Sequence, residues 1–288
     1  MGIKVYIDGQ YFEKDQAKIS VFDHGLLYGD GVFEGLRAYE GRVFRLDRHI
    51  QRLYNSAKAI MLTIPVSVDE MKRIVTDTLA ENKLKDAYIR LLVTRGAGTL
   101  GLDPDKCPKP SIVCITDFIA LYPKEMYDNG LKVVTVPTNR TSINSLYPQC
   151  KSLNYLNNIM AKIEARIAGC IEAIMLNVDG SVAECTGDNI FVVKGGRLVT
   201  PDVMSGILEG VTRGAVMDIA RGLGIAVVEC RLSRYELFTA DECFLTGTAA
   251  EIIPVVDVDS RKIGDGRPGP TTRMLHKEFH ELVRKEGA

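Results

Sequence analysis

The sequence predicts an α+β protein of two domains, and three observations predict it. Short apolar runs of alternating polarity meet at Asp-Gly or Gly-Gly pairs, the residues that tight hairpins require. Longer stretches repeat apolar residues at helical spacing. One stretch of broken periodicity, FIALYPKEMYDNG, divides the 288 residues, and 46% hydrophobic content supplies material for one large or two modest cores.

In chain order, KVYIDGQYF alternates around Asp8-Gly9 and predicts a strand pair. GRVFRLDRHIQRLYNSAKAIM passes from a strand into a helix capped by Asp47, with Ile50, Leu53, Tyr54, Ala57 and Met61 on one face. SVDEMKRIVTDTLAENKL repeats the pattern with Ser67 and Glu70 spaced as a capping box, and AYIRLLVTR and SIVCITDF follow as strands. Residues 1–117 therefore read as a small α+β domain, 118–130 as a linker and 131–288 as a large domain. In the latter, LKVVTVP is a strand and Asn154 to Ala168 a helix. AIMLNVDGSVAEC and NIFVVKGGRLVTP are hairpins turning at Asp179-Gly180 and Gly195-Gly196, and GVTRGAVMDIARGLG is a helix closed by glycine. Asp265 to Pro270 reads as a surface loop.

Composition excludes several classes. A formal charge of −1 and no basic run interleaved with aromatics argue against nucleic acid. No window approaches eighteen uninterrupted apolar residues and MGIKVYIDGQ lacks a signal-peptide core, so a soluble cytoplasmic protein is expected, with no membrane partner. Seven cysteines without a CxxC pair support neither a disulfide framework nor a zinc site. His276 and His280 in HKEFH stand one helical turn apart, but the glutamate is at the third position and HExxH needs it at the second, so no metal is expected.

Four places carry candidate chemistry. QCKSLNYLNNIMAKIEA sets Lys151 before a helix start, with Tyr155 four residues on. Most lysines are solvated surface charges, but partial desolvation lowers an amine's pKa and opens Schiff-base chemistry, and a phenol there suits an oxygen of a bound aldehyde. Glu184 ends the strand SVAE, either as a water-facing carboxylate or as one held against a pyridine nitrogen. In LEGVTRGAVMDIA the amides of Val211 and Thr212 lie at a helix N-terminus, and FLTGTAAEI leaves amides and a hydroxyl open after a strand. Each suits an anion as well as it suits a plain cap or turn. Arg48 points weakly the same way, an arginine on an amphipathic helix normally taking the wet face.

Taken together, HGLLYGDGVFEGLRAY, RLDRHIQRL, CKSLNYLNNIMAKIEA, GSVAECTGDNIFVV, GILEGVTRGAV and ADECFLTGTAAEI resemble, in that order and across nearly the whole chain, the class IV aminotransferases. These are pyridoxal 5'-phosphate enzymes of fold type IV (D-amino acid aminotransferase-like), and the resemblance is greatest to the branched-chain amino acid aminotransferases. The resemblance implies that Lys151 carries the cofactor as a Schiff base, that Tyr155 hydrogen-bonds the ring oxygen and that Glu184 pairs with the pyridine nitrogen. It assigns the phosphate to Arg48, the amides of Val211 and Thr212, and Thr248. It places Phe33, Tyr28, Tyr88 and Tyr122 at the wall of the substrate pocket, with Arg90 for the glutamate carboxylate and the amides of Thr248 and Ala249 for the α-carboxylate. The activity implied is transamination of leucine, isoleucine and valine with 2-oxoglutarate, in a homodimer or higher homo-oligomer whose Tyr28 reaches the partner's site.

The chain departs from that family in one respect: it has no tryptophan, and Ile119 lies close to where the linker tryptophan would be. D-amino acid aminotransferases carry an Arg-x-His carboxylate trap where this chain has RGAGTLGLDP, which with Tyr155 favours the L-specific reading. Aminodeoxychorismate lyase, and a non-catalytic relative that only binds the vitamer, are the other readings of the same framework.

Overall fold

The computed structural model describes residues 2–118 and 122–286, so Ile119 lies outside the described residues. The chain forms two compact units, one of residues 1–120, 150–154 and 283–288 and the other of residues 121–149 and 155–282. Among the described residues, no helix is long and apolar enough to cross a membrane.

In the first unit, β1 (Lys4–Ile7) and β2 (Gln10–Glu13) form the expected hairpin, with Asp8 and Gly9 both at positive φ. Then follow α1 (His24–Tyr28), β3 (Gly31–Tyr39), β4 (Arg42–Val43), α2 (Leu46–Ala59), α3 (Val68–Glu81), β5 (Ala87–Thr94) and β6 (Ser111–Asp117). The described strands make an antiparallel sheet in the order β2-β1-β6-β5-β3-β4. Ile50, Leu53 and Ala57 of α2 and Met71, Val75 and Leu79 of α3 pack on Val32, Leu36, Ile89 and Leu91 of the sheet. Because side chains alternate along a strand, this core leaves Phe33, Tyr88 and Arg90 to the opposite face.

Helix α2 differs from the sequence reading at both ends. It starts one residue before Asp47, behind Arg45 in left-handed geometry, so Asp47 is an exposed first-turn acid 2.5 Å from Lys72 and not the cap. It stops at Ala59, leaving Met61 exposed at positive φ beyond the helical face. Ser67 does cap α3, its hydroxyl accepting from the Glu70 amide at 3.2 Å.

The second unit contains α4 (Lys124–Asn129), β7 (Leu131–Thr135), α5 (Leu156–Ile167), β8 (Glu172–Leu176), β9 (Ser181–Cys185), β10 (Asn189–Lys194) and β11 (Arg197–Pro201). It continues with α6 (Val211–Gly222), β12 (Val227–Cys230), β13 (Leu232–Ser233), α7 (Arg234–Phe238), β14 (Glu242–Gly247), β15 (Glu251–Val258), β16 (Arg261–Lys262) and, as far as Leu282, α8 (Pro270–Glu286). The described strands form a mixed sheet, β12-β11-β10-β14-β15-β7-β8-β9-β13, with β16 on β15. Both predicted hairpins are present, β8 with β9 and β10 with β11. Ile174, Ile190, Val192, Leu245, Ile253 and Val255 build one core of this unit.

Two features depart from the division read in the sequence. The stretch expected as linker contains α4, and residues 122–130 group with the second unit. Cys150–Asn154, with Lys151, group with the first unit instead of the large domain. The cause is backbone pairing: Val32 and Ser152 form an antiparallel bridge, Phe33 N donates to Lys151 O at 2.9 Å and Leu153 N to Gly31 O at 2.9 Å. An extended segment that supplies its donors to a strand start has no free register in which to slip.

Candidate active site

In the first unit the Lys151 main chain is held on both sides. Its carbonyl accepts from Phe33, and its own amide donates to the buried Ser56 hydroxyl of α2 at 3.1 Å. The side chain then lies over the Phe33 ring, with Nζ 4.6 Å from the centroid, and the Arg90 guanidinium also lies 4.6 Å from that centroid. Arg90 Nη2 donates to the Tyr88 hydroxyl at 3.0 Å. Phe33, Tyr88, Arg90 and Lys151 thus come together as a partly apolar surface carrying two cations. Gly35 makes room for it, since a Cβ there would meet the Tyr88 hydroxyl at 2.2 Å. Tyr28 stands apart from this cluster, half-exposed, with its hydroxyl accepting from Gly101 N at 3.0 Å.

Arg48 and Arg52 stand one turn apart on α2 and differ in burial and partners. Arg48 is exposed. Arg52, one turn on, donates from Nε and Nη2 to the fully buried Glu34 carboxylate at 2.6 and 2.8 Å, and His49 Nδ1 stands 2.8 Å from the same carboxylate. Burial opposes ionisation of Glu34, but the charges and hydrogen bonds of Arg52 and His49 outweigh it and hold the carboxyl well below the usual range. His49 moves down, first through burial and then against the pull of Glu34; Arg52 and Lys151 both add positive potential there. The cation that shares the surroundings of Lys151 is therefore Arg52, which sequence reasoning missed. A signal existed: Glu34 falls at a core position of the strand GVFEGL, and a buried carboxylate requires a partner.

In the second unit Glu184 ends β9 with its side chain 7% exposed. Arg140 Nη2 reaches Oε1 at 2.8 Å, and Asn189 Nδ2 and the Leu208 amide each reach Oε2 at 2.9 Å. Arg140 is itself fixed, donating from Nε to Gly206 O at 3.1 Å and from Nη1 to Asn158 Oδ1 at 3.2 Å. Arg140 carries no local sequence signal, because it reaches Glu184 from 44 residues away, whereas Asn189 stands five residues on, at the start of the next strand.

The same unit holds the expected anion donors. Gly210 is the N-cap of α6 and offers no side-chain cap, leaving the first-turn amides of Val211 and Thr212 oriented outward from the helix. A Cβ at Gly210 would meet Asn189 Oδ1 at 2.0 Å, so the absent side chain also lets Asn189 reach Glu184. Thr246 Oγ1 is buried without a hydrogen-bond partner at the end of β14, and the turn that follows exposes Thr248 and Ala249 in part and in full. Tyr155 forms the N-cap position of α5. Tyr122 packs on the unit's core, and burial pushes its phenol well up. All seven thiols are free; burial raises Cys114 to about 12 and pushes Cys185 and Cys243 well up too, which leaves them poor nucleophiles.

The model for the family described as amino-transferase class IV matches residues 31–258. The chain belongs to the class IV aminotransferases. Among the relatives of this aminotransferase, a Methanocaldococcus jannaschii protein is 50% identical over 285 residues, 99% of this chain and 98% of its own. The crystal structure of the Escherichia coli branched-chain amino acid aminotransferase superposes with a TM-score of 0.95 at 36% identity, covering 98% of this chain and 95% of that one. The T.th. branched-chain amino acid aminotransferase in complex with N-(5'-phosphopyridoxyl)-L-glutamate superposes with a TM-score of 0.93 at 36% identity, covering 98% and 94%. The class IV aminotransferase fold, with its α+β make-up, is therefore the one the sequence motifs pointed to.

Proposed function

We propose that this class IV aminotransferase uses pyridoxal 5'-phosphate to move the amino group of leucine, isoleucine and valine onto 2-oxoglutarate. The observation that carries the reading is the Phe33 surface, where the Lys151 amine and the Arg90 guanidinium lie 4.6 Å from one ring centroid. An apolar ring beside the reactive amine suits an aliphatic side chain, and a cation at its edge suits the second carboxylate of glutamate. The names of the similar structures, and the phosphopyridoxyl-glutamate in one of them, support the same pair of substrates.

The residues present fit the cofactor. A buried carboxylate fixed by three donors, a helix N-terminus whose cap is glycine, and an orphaned threonine hydroxyl form a set that a phosphorylated pyridine satisfies and a plain core does not. Lys151 would hold it through Nζ, with Tyr155 at the ring oxygen and Glu184 at the pyridine nitrogen. The amides of Val211 and Thr212, the Thr248 hydroxyl and Arg52, in place of the outward Arg48, would hold the phosphate. When bound, pyridoxal phosphate supplies an aromatic sink for the electrons left as the α-proton departs. Lys151 Nζ would take that proton and return it, as general base and then acid. Glu184, paired with Arg140, would face the ring nitrogen and favour its protonated form. Arg90 and the Ala249 amide orient the substrate carboxylates, and Phe33, Tyr88 and Tyr122 exclude water from its side chain.

A panel pairing 2-oxoglutarate with leucine, isoleucine, valine, aromatic amino acids and D-alanine tests this reading. The three branched donors are expected to lead; preference for D-alanine, or pyruvate release from aminodeoxychorismate, would reassign the enzyme within its family.

Assembly is proposed as a homodimer or higher homo-oligomer with Tyr28 reaching the partner's site. Helix α5 supports it: Leu156, Ile159, Met160, Ile163 and Ile167 form an exposed apolar stripe at helical spacing. Ile159→Asp is expected to shift the mass measured by light scattering toward the monomer while circular dichroism stays unchanged. An unaltered mass would move the interface elsewhere.

A further inference from the structure

Three ligand-type side chains outside the site just described meet at one point of the second unit. His276 and His280 sit one turn apart on α8, and Glu251 opens β15 from a left-handed backbone, φ 55°. His280 Nε2 lies 3.3 Å from His276 Nε2 and 3.3 Å from Glu251 Oε2, and one donor atom of each residue falls within 4.8 Å of the other two. Read in the sequence alone, HKEFH lacks a third ligand at the right position. The fold supplies it from 25 residues upstream.

Two features separate this cluster from ordinary hydrogen bonding. Both 3.3 Å separations exceed the usual 2.7–3.2 Å of an N–H···O bond, and both converge on a single ring nitrogen, which has one hydrogen or one lone pair to offer. Ligands about 2.0–2.1 Å from a tetrahedral ion stand about 3.3–3.4 Å from one another; the two separations made by His280 have that spacing, and the His276–Glu251 pair, within 4.8 Å, would close on the ion. Glu251 is buried, whereas the His280 side chain is 38% exposed, so the open corner of such a tetrahedron faces water.

We propose that Glu251, His276 and His280 bind a first-row transition-metal dication of the zinc class, with water as the fourth ligand. The ion has a structural consequence. Glu251 directly follows the Thr248–Ala250 turn, and Tyr127, whose ring packs 5.8 Å from His276, donates its hydroxyl to Ala250 O at 3.2 Å. A metal there fastens α8 to the strand that begins where the proposed substrate-binding turn ends.

Cobalt(II) titration of the intact holoenzyme, followed by visible absorption, tests the proposal. The expected result is one ion per chain with the intense bands of a four-coordinate nitrogen and oxygen site. Zinc should displace it and raise the melting temperature. His280→Ala, at the most exposed ligand, should weaken cobalt binding more than about 100-fold, beyond the loss typical of outer-shell changes, and abolish the zinc-induced shift. Glu251→Gln should weaken it in the same direction while keeping the side chain's shape. Absence of the bands, affinity unchanged in His280→Ala or Glu251→Gln, or sulfur-to-metal charge-transfer bands from a cysteine site would each overturn it.

Discussion

Lys151→Ala is expected to purify colourless and to lose transamination by more than about 10⁴-fold, the upper range of general acid–base catalysis with the covalent link lost besides. Its fold should survive. The contacts that seat residue 151 are main-chain bonds to Phe33 and Ser56, which alanine retains. The side chain gives up its position over the Phe33 ring, a cation–π contact worth about 0.5–1 kcal/mol when partly exposed. Borohydride reduction of the wild-type holoenzyme followed by peptide mass mapping should place the cofactor on the segment that holds Lys151. Equal labelling of the variant would send the reactive amine elsewhere.

The second large effect is expected at Glu184 and Arg140. Glu184→Gln keeps the volume but removes the charge opposite the ring nitrogen, and kcat should fall about 10²–10³-fold, the size of a lost preorganised electrostatic contact, with KM changing little. Arg140→Met removes the cation from a buried pair, leaving Glu184 with the neutral donors Asn189 and Leu208. Breaking such a pair costs about 3–5 kcal/mol, so the melting temperature should fall as well as kcat. A purely structural Arg140 would lower the melting temperature and leave kcat per folded, cofactor-loaded enzyme intact, and that outcome would remove it from the catalytic account.

Much of the fold was legible because its signals are local. Asp8-Gly9, Asp179-Gly180 and Gly195-Gly196 announce hairpins through backbone geometry that few other residues tolerate, and each turn is where the sequence put it. Gly210 announced the start of α6 as a helix cap, from ordinary extended backbone. The cap of α2 was misread because Arg45, a residue with no capping chemistry, adopts the left-handed geometry that starts the helix, while Asp47 is satisfied by Lys72. α4 was taken for linker because six residues are too few for periodicity to speak.

Within the candidate site, the residues legible in sequence are those whose neighbours along the chain reveal them. Lys151 stands before a helix start and Glu184 at a strand end. Arg52 and Arg140 were hidden for a common reason. Each is chosen by a buried carboxylate 18 or 44 residues away, and only the folded chain brings Glu34 to the one and Glu184 to the other. Arg48 and Arg52 lie one turn apart on the same side of α2, so helical periodicity does not choose between them; the bonds of Arg52 to Glu34 do.

The short strand around Lys151 has a consequence for how this molecule can be recombined. Residues 150–154 complete an edge whose other side is laid down more than a hundred positions earlier, at Gly31 to Phe33. A hybrid spliced near position 120 from two homologues would take the receiving groove from one parent and the inserted pentapeptide from the other. Crossovers that carry the pentapeptide along with the first 120 residues keep the amine's mounting intact, and those are the junctions along which new donor preferences can be built.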